Sequence, residues 1–332
     1  MALIPEPRFM GAALALAERG RGQSAPNPNV GCVIVNHHRV VGRGWTQRGG
    51  RPHAEAMALA EAGGSARGAT VYVTLEPCAH VSPRGPACSD LLAEAGVAQV
   101  VIALRDPDPR TSGKGVERLR AQGIDVRVGD AEAAARRSLE GFLTRQSRGR
   151  PHVTLKLATS LDGCIARADG ESKWITGAAA RAHAHVERAR HEAIVVGRGT
   201  FESDQPELDV RLPGLSHRAP RRFVLTTRPL PSPTTAHQSE NWTALHGPTE
   251  INDWVGIDHL LVEGGARTAT AFLAAGLVDR LLLYRAPILI GGGKPALGDV
   301  GLDTITDAHG RWELRDTRML GIDRLEIYES TR

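Results

Sequence analysis

Pro52-His53-Ala54-Glu55, the run Ala69-Thr70-Val71-Tyr72-Val73-Thr74 leading into Leu75-Glu76-Pro77-Cys78, and then Cys88 together decide how the first half of this chain folds. The β-branched and aromatic run from 69 to 74 predicts a strand, which delivers Cys78 to a strand-to-helix junction. After His53 the apolar set Ala56, Met57 and Ala60 predicts an amphipathic helix with His53 and Glu55 in its first turn. Cys88 precedes a second helical pattern, Leu91, Leu92 and Ala95. Helix N-termini favour the thiolate that a metal requires. One histidine and two cysteines hold zinc with a fourth position left for water. A glutamate two residues after the histidine is placed to carry that water's proton, and the set suits hydrolytic loss of an amino group from an amidine-like ring carbon. His80 leaves a closed four-ligand structural site open as a second reading.

Outward from this stretch, helix and strand alternate. Helical patterns cover 7–19, 112–122 and 131–147, and strand patterns cover 30–35, 39–46, 98–104 and 124–128. The turn Asp106-Pro107-Asp108-Pro109 closes the strand at 98–104. Helices interleaved with strands predict a sheet covered on both faces. A chain of 332 residues exceeds what one core supports, and the basic, glycine-containing run 144–150 marks the division. Domains of 1–147 and 150–332 are expected.

The second half opens on a strand, 152–158, that places Val153, Leu155 and Leu157 on one face and Thr154 and Lys156 on the other. A lysine in an otherwise apolar strand predicts that the second face opens on a pocket. Ala193-Ile194-Val195-Val196 predicts a strand feeding a glycine-rich turn, Gly197-Arg198-Gly199-Thr200. Asp258–Val262 predicts another, feeding Gly264-Gly265 and a helix with Ala269, Ala271, Phe272 and Leu273. A phosphate is suited to the start of that helix. Neither glycine group is Gly-x-Gly-x-x-Gly, so a Rossmann fold is not indicated.

The net charge of +4 is compatible with an anionic substrate, and with only 4% aromatic residues there is little base-stacking surface. A nucleic-acid partner is therefore not expected. No apolar run approaches 18 residues and the first residues lack a signal-peptide pattern, so a soluble cytoplasmic protein without a membrane partner is expected. Cys32, Cys78, Cys88 and Cys164 do not make a disulfide framework in a chain of this length.

Pro26-Asn27-Pro28-Asn29-Val30-Gly31, Pro52–Glu55, Thr74–Cys78 and Asp106–Pro109 occur in an order and spacing that resemble the bacterial bifunctional riboflavin-biosynthesis deaminase/reductase family. The match continues through Leu155–Gly163, Gly170–Thr176, Gly197–Thr200, Asp204–Leu208 and Val262–Gly265, so it spans essentially the whole chain. Two departures stand out: the segment between Cys78 and Cys88 is one residue longer than usual, and Thr226 follows the strand where the family typically has aspartate. The resemblance implies a cytidine-deaminase-like three-layer α/β/α domain and a dihydrofolate-reductase-like α/β domain. It implies one zinc ion on His53, Cys78 and Cys88, Glu55 as proton carrier, and Asn27 and His80 in the pyrimidine pocket. In the second domain it implies Ser172, Arg188, Leu208, Arg211 and Glu263 toward a ribose-phosphate substrate, and Ala158, Trp174, Thr200 and Asp204 toward NADPH. Gly265 and Arg267 at the helix start are expected to meet a cofactor phosphate, as is Arg198. Lys156, Asp204 and Glu263 are candidates for help in proton transfer. The implied reactions are deamination of a phosphorylated diaminopyrimidine and NADPH-dependent reduction of its ribosyl side chain, in a homodimer formed through the reductase domain.

Two other readings remain from the zinc motif alone. A nucleoside or tRNA-adenosine deaminase fused to an unrelated domain fits less well, because the tighter Pro-Cys-x-x-Cys spacing is missing. A zinc-stabilised binding protein without catalysis fits less well because Glu55, which is not a ligand, would have no reason to be there.

Overall fold

The computed structural model describes residues 6–80, 84–230 and 242–332. The chain divides into two compact units, Met1–Arg148 and Gly149–Arg332. In the first, α1 (Pro7–Gly20), β1 (Gly31–Asn36), β2 (Arg39–Trp45) and α2 (Ala54–Ala62) are followed by β3 (Thr70–Val73), α3 (Cys88–Glu94) and β4 (Gln99–Ile102). Then come α4 (Lys114–Ala121), β5 (Asp125–Val128), α5 (Glu132–Ser138) and α6 (Glu140–Arg148). The sheet order is β2-β1-β3-β4-β5, with β1 antiparallel to both neighbours and β3, β4 and β5 parallel.

The register of β1 on β2 sets the layers. Cys32 pairs with Gly44 and Ile34 with Gly42, so these four share one face, while Gly31 points to the other. A methyl on Gly42 or Gly44 would overlap the carbonyls of Ala58 or Ala54 in α2, and one on Gly31 would overlap that of Ala13 in α1. The two helices thus lie almost on the backbone of opposite faces, giving the α/β/α sandwich expected.

That close approach corrects the face read from α2. The residues turned inward are Ala54, Glu55, Ala58 and Ala62; Ala56 and Met57 are half-buried and Ala60 is exposed. Where the sheet offers glycines, only small side chains fit between helix and strand, and the larger apolar residues are displaced outward. The single helix expected over 131–147 is two helices broken at Leu139. The Ser138 carbonyl there accepts a hydrogen bond from Asn29 Nδ2, and the Ser138 hydroxyl donates to Glu18. Side-chain partners of this kind compete with the helical ladder.

The second unit contains β6 (His152–Thr159), β7 (Cys164–Ala166), α7 (Ala178–Arg188), β8 (Ala193–Gly197), α8 (Arg198–Asp204), β9 (Arg221–Leu225) and β10 (Trp242–Leu245). It continues through β11 (His259–Val262), α9 (Ala266–Ala274), β12 (Arg280–Arg285), β13 (Lys294–Pro295), β14 (Trp312–Leu320) and β15 (Asp323–Ser330). The large sheet runs β10-β9-β8-β11-β6-β12-β15-β14, parallel as far as β12 and antiparallel beyond. Val153, Leu155 and Leu157 pack with Val195, Val262 and Phe272 of α9 on one face; on the other, Leu282 and Tyr284 pack with Ala180 of α7. Among the described residues no helix is long and apolar enough to cross a membrane.

Residues 197–200 are not the glycine-rich turn expected. Gly197 precedes α8 and Arg198-Gly199-Thr200 is its first turn. Gly197 is needed for contact, because a side chain there would run into the Thr268 hydroxyl of α9, as one at Gly264 would run into the Thr268 side chain. Two helix N-termini, those of α8 and α9, are brought together in this way.

Candidate functional site

The parallel strands of the first unit end toward α2 and α3, and three soft donors converge there. His53 caps α2 from an extended conformation, Cys78 follows β3, and Cys88 is the first residue of α3. Their donor atoms all lie within 4.8 Å of one another. The imidazole Nδ1 faces the sulfurs, 3.3 Å from Cys88 Sγ and 3.7 Å from Cys78 Sγ. Cys78 Sγ also accepts the Cys88 backbone N–H at 3.3 Å, the helix-start donor expected to favour a thiolate. The hydrogen bond with Cys88 and those from His53 hold the Cys78 thiol down at about 4, while the same bond and burial push Cys88 up. The pair thus shares a proton that a metal would replace, and a nitrogen with two sulfurs is a zinc-like donor set.

The other imidazole nitrogen, Nε2, lies 2.9 Å from Asn27 Nδ2, which also donates to the Gly50 carbonyl at 2.8 Å. Gly50 has φ of +87°, and a Cβ there would sit 2.8 Å from the Asn27 side chain. Only glycine meets both demands. Glu55 is 3% exposed, and burial raises its carboxyl pKa against the opposing influence of His53. Asp106 is raised to about 7, by burial first and then by Asp108, Glu76 and Cys78. His80 is not among the converging donors: its Nδ1 meets the Thr111 hydroxyl at 3.4 Å. The four-ligand structural site is not formed.

In the second unit the charged cluster sits at the carboxyl ends of the parallel strands, where open α/β sheets bind ligands. Arg188 at the end of α7 grips Glu263 with two bonds, Nε–Oε1 at 2.7 Å and Nη2–Oε2 at 3.0 Å, and also reaches the Asp209 carbonyl. Lys156 Nζ is 3.9 Å from Glu263 Oε2 and 5.8 Å from the centre of the Tyr284 ring. Burial pushes Glu263 up, but Arg188 and then Lys156 outweigh it and hold the carboxyl below its ordinary value. Thr154, on the same strand face as Lys156, is fully buried, so that face opens only at Lys156 and Ala158. At the paired helix starts, a Cβ on Gly265 would meet the Thr200 hydroxyl at 3.9 Å. This sets the starts of α8 and α9 side by side.

Residues 5–104 match the cytidine and deoxycytidylate deaminase zinc-binding region, and residues 151–323 match the RibD C-terminal domain. The riboflavin biosynthesis protein RibD of Mycobacterium tuberculosis is 42% identical over 327 residues, covering 95% of both chains. This chain belongs to the RibD family. RibD of Aquifex aeolicus is 40% identical, covering 91% of this chain and 92% of its own. RibD of Acinetobacter baumannii superposes with a TM-score of 0.86 at 37% identity over 98% of this chain and 99% of its own. The Thermotoga maritima diaminohydroxyphosphoribosylaminopyrimidine deaminase/5-amino-6-(5-phosphoribosylamino)uracil reductase superposes at 0.87 with 33% identity over 98% of each chain.

Within this RibD fold the residues expected at the second site are spread unevenly. Lys156, Arg188 and Glu263 meet, and Thr200 lies beside Gly265. Arg211 is exposed and paired with Asp209 and Glu207, and Leu208 is buried with Ile194, Val196 and Leu261, which leaves its backbone as the part able to face a ligand. Trp174 is 69% exposed under the Arg181 guanidinium, Ser172 is half-buried, and Arg267 is exposed. Asp204 is exposed at the far end of α8 from Thr200. Arg198 is taken up by Glu202 and by the Arg228 and Pro229 carbonyls, with Thr226 beside it. Tyr284, 2.8 Å from His183 Nδ1, walls the Lys156 site and was not foreseen, because an inward tyrosine on a strand looks like any core aromatic.

Proposed function

We propose that the first unit deaminates 2,5-diamino-6-(5-phosphoribosylamino)pyrimidin-4(3H)-one and that the second reduces the ribosyl group of the resulting uracil to ribityl with NADPH. The observation that carries the reading is a buried carboxyl, Glu55, beside three converging donors of the zinc type, His53, Cys78 and Cys88. Zinc there would supply the Lewis acidity that makes water a nucleophile near neutral pH. Glu55 takes a proton from that water as its oxygen bonds to C2, and returns it to the departing amino nitrogen, so that ammonia leaves. A carboxyl raised by burial is suited to both halves of that transfer. Asn27, whose amide is fixed by Gly50, and His80 line the pyrimidine side.

For the reductase, NADPH would supply hydride to C1′ once the ribosylamino ring has opened to an imine. Gly264, Gly265 and Thr200 at the adjacent starts of α9 and α8 would receive a cofactor phosphate, with Arg267 exposed at the same helix start. Lys156 and Glu263 face the sugar, and Arg188 keeps Glu263 ionised. We assign Arg211, Ser172 and the backbone at Leu208 to the ribose phosphate, and Ala158, Trp174 and Asp204 to the cofactor side. We further propose that copies pair through the reductase unit, which sedimentation of the isolated unit would test.

Separate fragments, 1–147 and 150–332, each assayed with the diaminopyrimidine and with the deaminated product, test activity, boundary and step order together. The first is expected to bind zinc and release ammonia. The second is expected to oxidise NADPH faster than NADH, and only with the deaminated product. Equal reduction of the undeaminated pyrimidine would overturn the order of steps.

A further inference from the structure

Glu76 belongs to the motif that delivers Cys78, yet it is neither a donor in the zinc-type set nor a group facing it. Its side chain is buried and accepts four backbone N–H groups. Oε1 takes those of Gly115 and Val116 at 3.0 and 3.1 Å, in the first turn of α4. Oε2 takes those of Gly113 at 3.1 Å and Asp106 at 3.4 Å. Its own backbone N–H donates to the Leu104 carbonyl at 2.9 Å. One carboxylate therefore fastens together the loop after β3, the turn after β4 and the start of α4.

A second observation brings this anchor to the metal site. Gly115 lies so close to the loop that a methyl on it would overlap the Pro77 carbonyl oxygen, with the Glu76 side chain 3.2 Å away. Pro77 is thus gripped from the side of α4, and the next residue is Cys78. The Cys78 carbonyl in turn accepts from the Ser89 hydroxyl at 3.0 Å and the Ser89 N–H at 3.2 Å, beside Cys88. Cys78 thus lies two residues from the anchor, and Cys88 meets the same backbone through its neighbour Ser89.

We propose that Glu76 is the positioning residue of the metal centre: its carboxylate fixes the Cys78 loop against α4, and so fixes the sulfur-to-sulfur geometry that selects zinc. The proposal rests on the reading of His53, Cys78 and Cys88 as zinc ligands. An amide cannot replace the carboxylate, because its NH2 would face N–H donors on one side. Outer partners of metal ligands typically contribute on the order of 10–100-fold to metal affinity.

The test is a chelator-competition measurement of the zinc dissociation constant on the full chain, for wild type, Glu76→Gln, Glu76→Asp and Gly115→Ala. The visible spectrum of each cobalt-substituted protein and near-ultraviolet circular dichroism accompany it. Glu76→Gln is expected to weaken zinc by about 10-fold or more and to shift the cobalt bands while the dichroism stays native. Glu76→Asp should recover part of the loss. Gly115→Ala, which leaves Glu76 in place but pushes on Pro77, should weaken zinc in the same direction. Natively folded Glu76→Gln with unchanged affinity and cobalt spectrum would overturn the proposal. So would loss of the fold in all three variants, which would make Glu76 a general stabiliser. A wild-type chain that takes up no zinc would overturn the ligand reading itself, and is distinguishable from both.

Discussion

In the first unit burial drives Glu55 and Asp106 above the ordinary carboxyl range, Asp106 to about 7, whereas in the second Glu263 and Asp279, with side chains 9% and 11% exposed, lie below it. The difference is the presence of arginine. Glu263 is gripped by Arg188, and Asp279 by Arg150 at 2.6 and 2.8 Å, whereas at Glu55 and Asp106 burial prevails over the influences that oppose it. A carboxyl that must pick up and release a proton is useful only if its two forms are close in energy, which burial brings about. A carboxylate that must present a constant charge to a sugar or hold a cation is useful when it stays ionised. The two units therefore hold the same residue type with opposite tendencies to ionise, and the neighbouring groups decide which.

The largest effect expected from this contrast is at Glu55. Glu55→Gln keeps the volume and removes the titrating group, and ammonia release should fall by about 10²–10⁴-fold, the usual weight of a general acid–base. Bound zinc and NADPH oxidation with the deaminated product should be retained. Zinc analysis, ammonia assay and reductase assay on one preparation decide it. Loss of zinc with deamination intact would show that Glu55 is a ligand and not a proton carrier.

At the second site the expected effect is smaller and is shared between two residues. Glu263→Ala leaves the half-buried Arg188 without its carboxylate, and breaking such a pair from one side should cost a little less than the roughly 3–5 kcal/mol of a fully buried one. Replacing Arg188 as well, by Met, should restore much of the stability but not the reductase activity. Urea unfolding of the two single variants and the double variant gives the coupling, and steady-state kinetics gives the activity. Additive losses of stability would mean that the bidentate contact does not hold the site together, and that the lowered pKa of Glu263 has another source.

The same contrast explains what was legible in the sequence. The metal site is written in short motifs, since helix starts and strand ends place His53, Cys78 and Cys88 by local geometry. The alternation around it likewise revealed the layers of the first sheet, while the architecture of the second unit was indicated by the resemblance. The inward face of α2 was not legible, because Gly42 and Gly44 on a different element select alanine for that face. Nor was the break at Leu139, which depends on Asn29 more than a hundred residues away. The cluster of Lys156, Arg188 and Glu263 brings together common surface residue types from three separate segments: the alternation of the strand singled out Lys156, and only the resemblance indicated Arg188 and Glu263. Residues 197–200 suggest a glycine-rich turn because glycine frees the backbone, whereas Gly197 instead provides room for Thr268.

The smallest effect expected concerns acid, and it distinguishes the two arginine-paired carboxylates of the second unit. Asp279 accepts from Arg150 and from the Val153 N–H at 2.9 Å, tying the start of β6 to the start of β12. Its folded pKa is depressed although burial alone would raise it, the Arg150 bond and the nearby His152 and Arg150 charges outweighing that burial. A depressed carboxyl contributes stability that is fully present above its unfolded value, about 3.9, and is lost as the pH falls through the folded value. Lowering the pH from 5 toward 3 should therefore destabilise the fragment 150–332 progressively, by a few degrees in Tm for each kcal/mol lost, or about 2–4 °C in a unit of this size. Asp279→Asn should be less stable at pH 6 but should show a shallower slope in that window, because the proton it would have taken up has nowhere to bind. Thermal unfolding of both proteins across the window measures the difference in slope. Parallel slopes would assign the acid sensitivity to Glu263, depressed in the same direction by Arg188, and would leave the Arg150–Asp279 pair as a fixed clamp between the two strands.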